Sequence, residues 1–129
     1  MNQFQYSFCL KNSKFKIYFQ TTIFIKISIH VIGGFDGVQR LDTVEIYEPR
    51  VDTWRAAPSM KFSRDGVSLA SYGGYIHAIG GIDGPSYLNS VEYYDPNSES
   101  WHTAFSMRKS RAAAGVAVLT SDRFISLSS

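Results

Sequence analysis

Cysteine is nearly absent: the chain of 129 residues holds only Cys9, so no internal disulfide can form. Asn-x-Ser/Thr acceptors are missing altogether. Both absences point away from the secretory route and toward a reducing, cytoplasmic compartment. No uninterrupted apolar run reaches the ~18 residues of a membrane-spanning helix, and the amino terminus lacks the basic start, apolar stretch and cleavage site of a secretory signal. Net charge is also small. Thirteen basic residues against eleven acidic ones give +2, too little to imply a nucleic acid or a membrane as partner. Cys-x-x-Cys pairs, His-x-x-x-His spacings, Gly-x-Ser-x-Gly elbows and phosphate-cradling Gly-rich loops with a lysine are all lacking. No catalytic residue, no cofactor site and no metal site is therefore expected. What the chain does contain is apolar and aromatic: 44% hydrophobic and 15% aromatic residues, enough to build a core.

A repeat organises that material. Trp54 and Trp101, the two tryptophans, lie 47 positions apart, and the same offset carries Ile29-His30 onto Ile76-His77 and Gly33-Gly34 onto Gly80-Gly81. It continues through Asp36-Gly37/Asp83-Gly84, Leu41/Leu88, Val44-Glu45/Val91-Glu92, Tyr47/Tyr94, Pro49/Pro96, Ser59-Met60/Ser106-Met107 and Ser63-Arg64/Ser110-Arg111. After the arginines the register is read as slipping by two, with Gly66-Val67 set against Gly115-Val116. A third copy is read as starting near the end, where Phe124 to Ser129 falls opposite Ile76 to Gly81. The resulting organisation is an unrelated segment at 1–27, one repeat at 28–74, a second at 75–119 and the start of a degenerate third at 120–129.

Each unit reads as short strands between turns. Gly66 to Tyr72 alternates apolar and small residues and ends in a Gly73-Gly74 turn; Tyr75 to Gly81 is a largely apolar run. Asp83-Gly84 marks a tight turn inside a loop reaching Ser90, and two further strands are expected at Val91–Tyr94 and Ser100–Ala104. Four short strands per 47 residues with a late tryptophan define a propeller blade. Repeated residues then have structural duties. Gly33, Gly34, Gly80 and Gly81 are expected at close approaches or positive backbone angles. Tyr47, Tyr94, Trp54 and Trp101 are expected to pack between blades, and Glu45 and Glu92 to make buried or repeat-linking hydrogen bonds rather than to act as acids or bases. His30 and His77 occupy equivalent strand positions, so they do not converge on a metal.

Double Gly after an apolar strand, Asp-Gly, Leu-x-x-Val-Glu-x-Tyr-x-Pro, Trp, and Ser-Met before Arg together resemble the kelch repeat. Tyr94-Asp95-Pro96 and Gly115-Val116-Ala117-Val118-Leu119 are similar to the kelch-like proteins that carry BTB and BACK domains. The resemblance implies an all-β, partial kelch β-propeller: about two four-stranded antiparallel blades plus the start of a third, with the ring not closed. It implies a protein-interaction module, resembling the substrate-recognition domain of kelch-like adaptors of cullin-RING ubiquitin ligases. The cullin would be engaged only through BTB and BACK segments that these 129 residues do not contain. An actin-binding or cytoskeletal scaffold is the alternative, and a non-functional truncated fragment another.

A target protein or peptide is expected on the face where the loop between strands two and three meets the loop leading to the next blade. Carried over by position, the resemblance nominates Arg40, Arg64, Ser86, Tyr87 and Arg111. Arg40 and Tyr87 differ at equivalent positions, as befits loops that read a partner. Arg64 and Arg111 recur, which gives them a competing duty of tying the loop to a neighbouring blade. Lys61, Arg108 and Lys109 read as solvated surface. Outside the resemblance, residues 23–31 alternate as one strand of about nine residues with no turn, and residues 1–27 read as the product of a truncation or a misjoined reading frame. Their acid-free, lysine-bearing composition also fits a mitochondrial presequence that lacks arginine. Two open flanks are expected to leave the polypeptide prone to aggregate or partly molten, self-assembly being the escape.

Overall fold

The computed structural model describes residues 28–119, all strands and connecting loops. Residues 1–27, the rest of the expected 23–31 strand and the expected third repeat at 120–129 lie outside the described residues. Among the described residues three strands form the first blade: β1 (Ile29–Ile32), β2 (Val44–Glu48) and β3 (Thr53–Ala57), antiparallel in that order. The second blade has four: β4 (Ser68–Tyr72), β5 (Tyr75–Ile79), β8 (Val91–Asp95) and β9 (Ser100–Thr103). Between β5 and β8 stands a small hairpin, β6 (Ile82–Asp83) with β7 (Ser86–Tyr87). Adjacent blades of this kind are the repeating unit of a β-propeller, and these two leave its ring open.

Local chemistry sets the turns. Tyr72 pairs directly with Tyr75, so Gly73 and Gly74, at φ 61° and 83°, are the two central residues of the hairpin turn. Positive φ at both centres matches the right-handed twist of the flanking strands, and glycine adopts it without strain. The longer turns after β2 and β8 end instead on Asp52 and Glu99, both left-handed and 47 residues apart. The Asp52 carboxylate accepts a 2.6 Å bond from the Tyr47 hydroxyl, which holds the phenol proton and raises that pKa.

Backbone conformation corrects one reading of the repeat. Gly66 at φ 62° is matched by Ala113 at φ 51°, again 47 residues on. The register does not slip by two; an alanine occupies a left-handed position where the first copy has glycine. A further difference concerns phase. Strand β4 falls at the end of the 28–74 sequence repeat, yet it pairs with β5 in the second blade.

The core lies between the blades. Val44 and Ile46 point inward from β2 while Glu45 between them is exposed, the period-two pattern of a strand with one covered face. With Ile32 and Met60 they meet Ala78, and Ile76, Val67 and Trp101 pack against the cluster. Burying Val44 or Ile46 contributes about 2 kcal/mol each relative to exposure. Trp101 adds a polar clasp: its indole N–H donates to the Pro58 carbonyl of the first blade at 2.9 Å. Tyr94 is buried beside it, with ring centroids 5.4 Å apart. Tyr47 and Trp54 repeat the ring pair at 5.1 Å, but on the outer flank of the first blade, where Trp54 is 55% exposed.

Burial raises the Tyr94 pKa, with the Glu99 charge adding to the effect. A phenol whose folded pKa exceeds its unfolded value of about 10 stabilises the fold below that value and loses the contribution as pH climbs through the folded one. In a spectrophotometric titration, Tyr94 is therefore expected to ionise above the ordinary phenol range and together with loss of the fold. Replacing Tyr94 with Phe should shrink that late phase, with Tyr47, held by Asp52, supplying the remainder.

Candidate functional site

Two loops of each blade are sewn together at one end of the strands. In the first blade the Gly34 N–H donates to the Arg64 carbonyl and the Arg64 N–H to the Leu41 carbonyl, both at 2.9 Å. The second blade repeats this, with Gly81 donating to Arg111 at 2.9 Å and Arg111 to Leu88 at 3.0 Å. Gly33 and Gly80 make the approach possible. A Cβ on Gly33 would sit 2.6 Å from the Arg64 carbonyl oxygen, and one on Gly80 would collide with that of Arg111. Across the junction, Asp65 and Ile82 exchange backbone hydrogen bonds, joining the first blade's last loop to the second blade's hairpin.

On that end stand two hairpin tips. In the first blade, Phe35 pairs with Arg40 around a turn in which the Asp36 carboxylate accepts from the N–H groups of Val38 and Gln39 at 2.8 and 2.7 Å. Those donors hold the Asp36 carboxyl below its usual pKa. In the second blade, Ile82 pairs with Tyr87 and Asp83 with Ser86, Gly84 taking φ 54° in the turn. Arg40 and Tyr87 thus close equivalent hairpins. Ser86 and Tyr87 are exposed, as are Phe35 and Val38. Arg40 is half-buried, and its buried Nε has no hydrogen-bond partner among the described residues.

Arg64 stands elsewhere. Its side chain is 0% exposed, driven into the second blade. The guanidinium donates to Glu92 Oε2 at 3.1 and 2.8 Å, to the Gly80 carbonyl at 2.7 Å, and to Ser90 O and Oγ at 3.0 and 2.9 Å. Glu92 Oε1 accepts from the Lys61 N–H at 2.7 Å. A group without solvent contact cannot reach a partner, so Arg64 leaves the nominated binding set and becomes a blade tie, with Glu92 as its linking carboxylate. Arg111, its counterpart, is exposed.

At the opposite end of the strands a cleft of about 290 Å³ opens between the blades, lined among others by His30, Glu48, Arg55, Tyr94 and Glu99. Arg55 lies 3.9 Å from Glu48 and 3.3 Å from Glu99, so its charge is met within the protein. Among the described residues no three His, Cys, Asp or Glu side chains are grouped to hold a metal, and no helix is long and apolar enough to cross a membrane.

Paired antiparallel blades joined by sewn loops define a partial β-propeller whose variable hairpins occupy one end. The Kelch motif model matches residues 29–61 and 63–108, and the chain belongs to the kelch-repeat family. It is 44% identical over 50 residues to beta-scruin of Limulus polyphemus, a match covering 38% of this chain and 6% of that protein. A solved structure titled "Structure of YjhT" shares the fold, with a TM-score of 0.51 at 20% identity over 63% of this chain and 28% of that one. Kelch repeats make the chain a protein-interaction module.

Proposed function

We propose that the hairpin end of the blades binds a segment of a target protein, with Arg40, Ser86 and Tyr87 as the reading residues. The observation that carries this is the contrast between the two hairpins and everything around them. Blade positions repeat at 47 residues, whereas Arg40 gives way to Tyr87 at the tip; exposed Phe35 and Val38 share the hairpin of Arg40, whose Nε has no partner among the described residues, and exposed Tyr87 closes the equivalent hairpin of the next blade. Arginine and tyrosine are the side chains that concentrate binding energy at interfaces, arginine by gripping a carboxylate in two places. The target is accordingly a segment bearing an acidic residue next to an apolar or aromatic one. Recruitment of such a target to a cullin-based ubiquitin ligase is the wider role that the resemblance implies.

Peptide display panned on the chain is expected to enrich acidic sequences with a neighbouring apolar residue. Arg40→Ala and Tyr87→Ala should each weaken the selected peptide about tenfold, or about 1.4 kcal/mol, with the far-UV spectrum unchanged. Wild-type affinity in both variants would remove the hairpins from the site. Actin sedimentation belongs in the same experiment: binding to filaments that ignores both substitutions favours the cytoskeletal scaffold.

A further inference from the structure

The junction between the blades is a template whose two halves recur, uncovered, on the outer flanks. Every polar group used at the junction has a counterpart 47 residues away. Arg64 inserts its guanidinium toward Glu92, Ser90 and the Gly80 carbonyl; Arg111 matches Arg64, and Glu45, Thr43 and the Gly33 carbonyl match its partners. The Lys61 N–H that donates to Glu92 becomes that of Arg108, and the Pro58 carbonyl that accepts from Trp101 becomes that of Phe105, with Trp54 the counterpart of the donor. Glu45, Trp54, Phe105, Arg108 and Arg111 are all exposed. Arg111 and Phe105 belong to the second blade's forward flank; Glu45 and Trp54 belong to the first blade's rear flank. One chain thus carries both halves of a lock that it closes once internally.

We propose that a second copy of this chain docks head to tail, its Arg111 loop entering the Glu45, Thr43 and Trp54 flank as the Arg64 loop enters the second blade. Opposite charges face each other in this arrangement. The strand faces also correspond: Tyr47 and Trp54 offer the paired rings that Tyr94 and Trp101 offer at the junction. Such a contact is heterologous, so it propagates from copy to copy instead of stopping at a two-fold dimer.

Charge reversal on the intact chain tests this. Sedimentation velocity of the wild type is expected to show mass rising with concentration, accompanied by a blue shift of tryptophan emission as Trp54 becomes covered. Glu45→Arg and Arg111→Glu should each weaken association about thirtyfold or more, since like charges then meet at every contact. Mixing the two variants should restore it, because each contact in an alternating assembly again joins opposite charges. Both positions are exposed, so the fold survives either change, and Trp54→Phe retains association while losing the emission shift. A wild type that stays monomeric at all concentrations, association that survives both reversals, or a mixture that stays dissociated would overturn the proposal.

Discussion

Replacing Glu92 with Ala is expected to cost about 3–5 kcal/mol, a large share of the 5–15 kcal/mol that holds a typical domain together. The carboxylate is 2% exposed and its removal leaves the Arg64 guanidinium buried without a counter-charge, along with an unanswered Lys61 N–H. Desolvating a charge is tolerable only while its partner is present. The same reasoning gives a second arm: Arg64→Met combined with Glu92→Leu removes both charges, and this double variant should be clearly more stable than Glu92→Ala alone. Denaturant melts of the three proteins decide the matter. A single variant as stable as the wild type, or a double variant worse than the single one, would show that the ion pair does not clamp the blades.

Gly80→Ala should be the other severe substitution, at about 3 kcal/mol. Its φ of 64° already costs an L-residue about 1–2 kcal/mol. The added Cβ also meets backbone, the Arg111 carbonyl oxygen, which cannot swing aside as a side chain would. Gly84→Ala separates these contributions. Gly84 has φ 54° but nothing within 4 Å of its absent Cβ, so that variant should lose only the conformational part. Equal losses at the two positions would mean that the close approach contributes little.

The blades were legible in the sequence because each turn and strand solves one packing problem twice. An offset shared by Trp54/Trp101, Gly33/Gly80 and Glu45/Glu92 needs no coordinates to be seen. Positions where the copies diverge chemically were harder. Ala113 hides its left-handed backbone because alanine does not advertise that conformation as Gly66 does, and the repeat then looks shifted. The sequence leaves Arg64 both a binding duty and that of tying its loop to the neighbouring blade, because a loop arginine carries no mark of where its guanidinium points; the structure shows the tie. Recurrence marks both Arg64 and Glu92 as linking residues; that they link to each other, 28 residues apart, is what the structure adds. Ser90, whose carbonyl and hydroxyl complete the Arg64 cradle, was missed because Thr43 stands in its place in the first copy.

The one-strand phase between repeat and sheet matters on the ribosome. Strands β1 to β3 are complete once Ala57 has been made, but Ile32, Val44 and Ile46 gain their cover from Ala78, Ile76 and Trp101. At 5–20 residues per second, the roughly 46 residues from Ala57 to Thr103 take roughly 2–9 s to synthesise. Throughout that interval the nascent first sheet presents an apolar face. Among the described residues, vectorial synthesis therefore makes the first blade the part that most needs a chaperone, although it becomes half of the core once the second blade arrives.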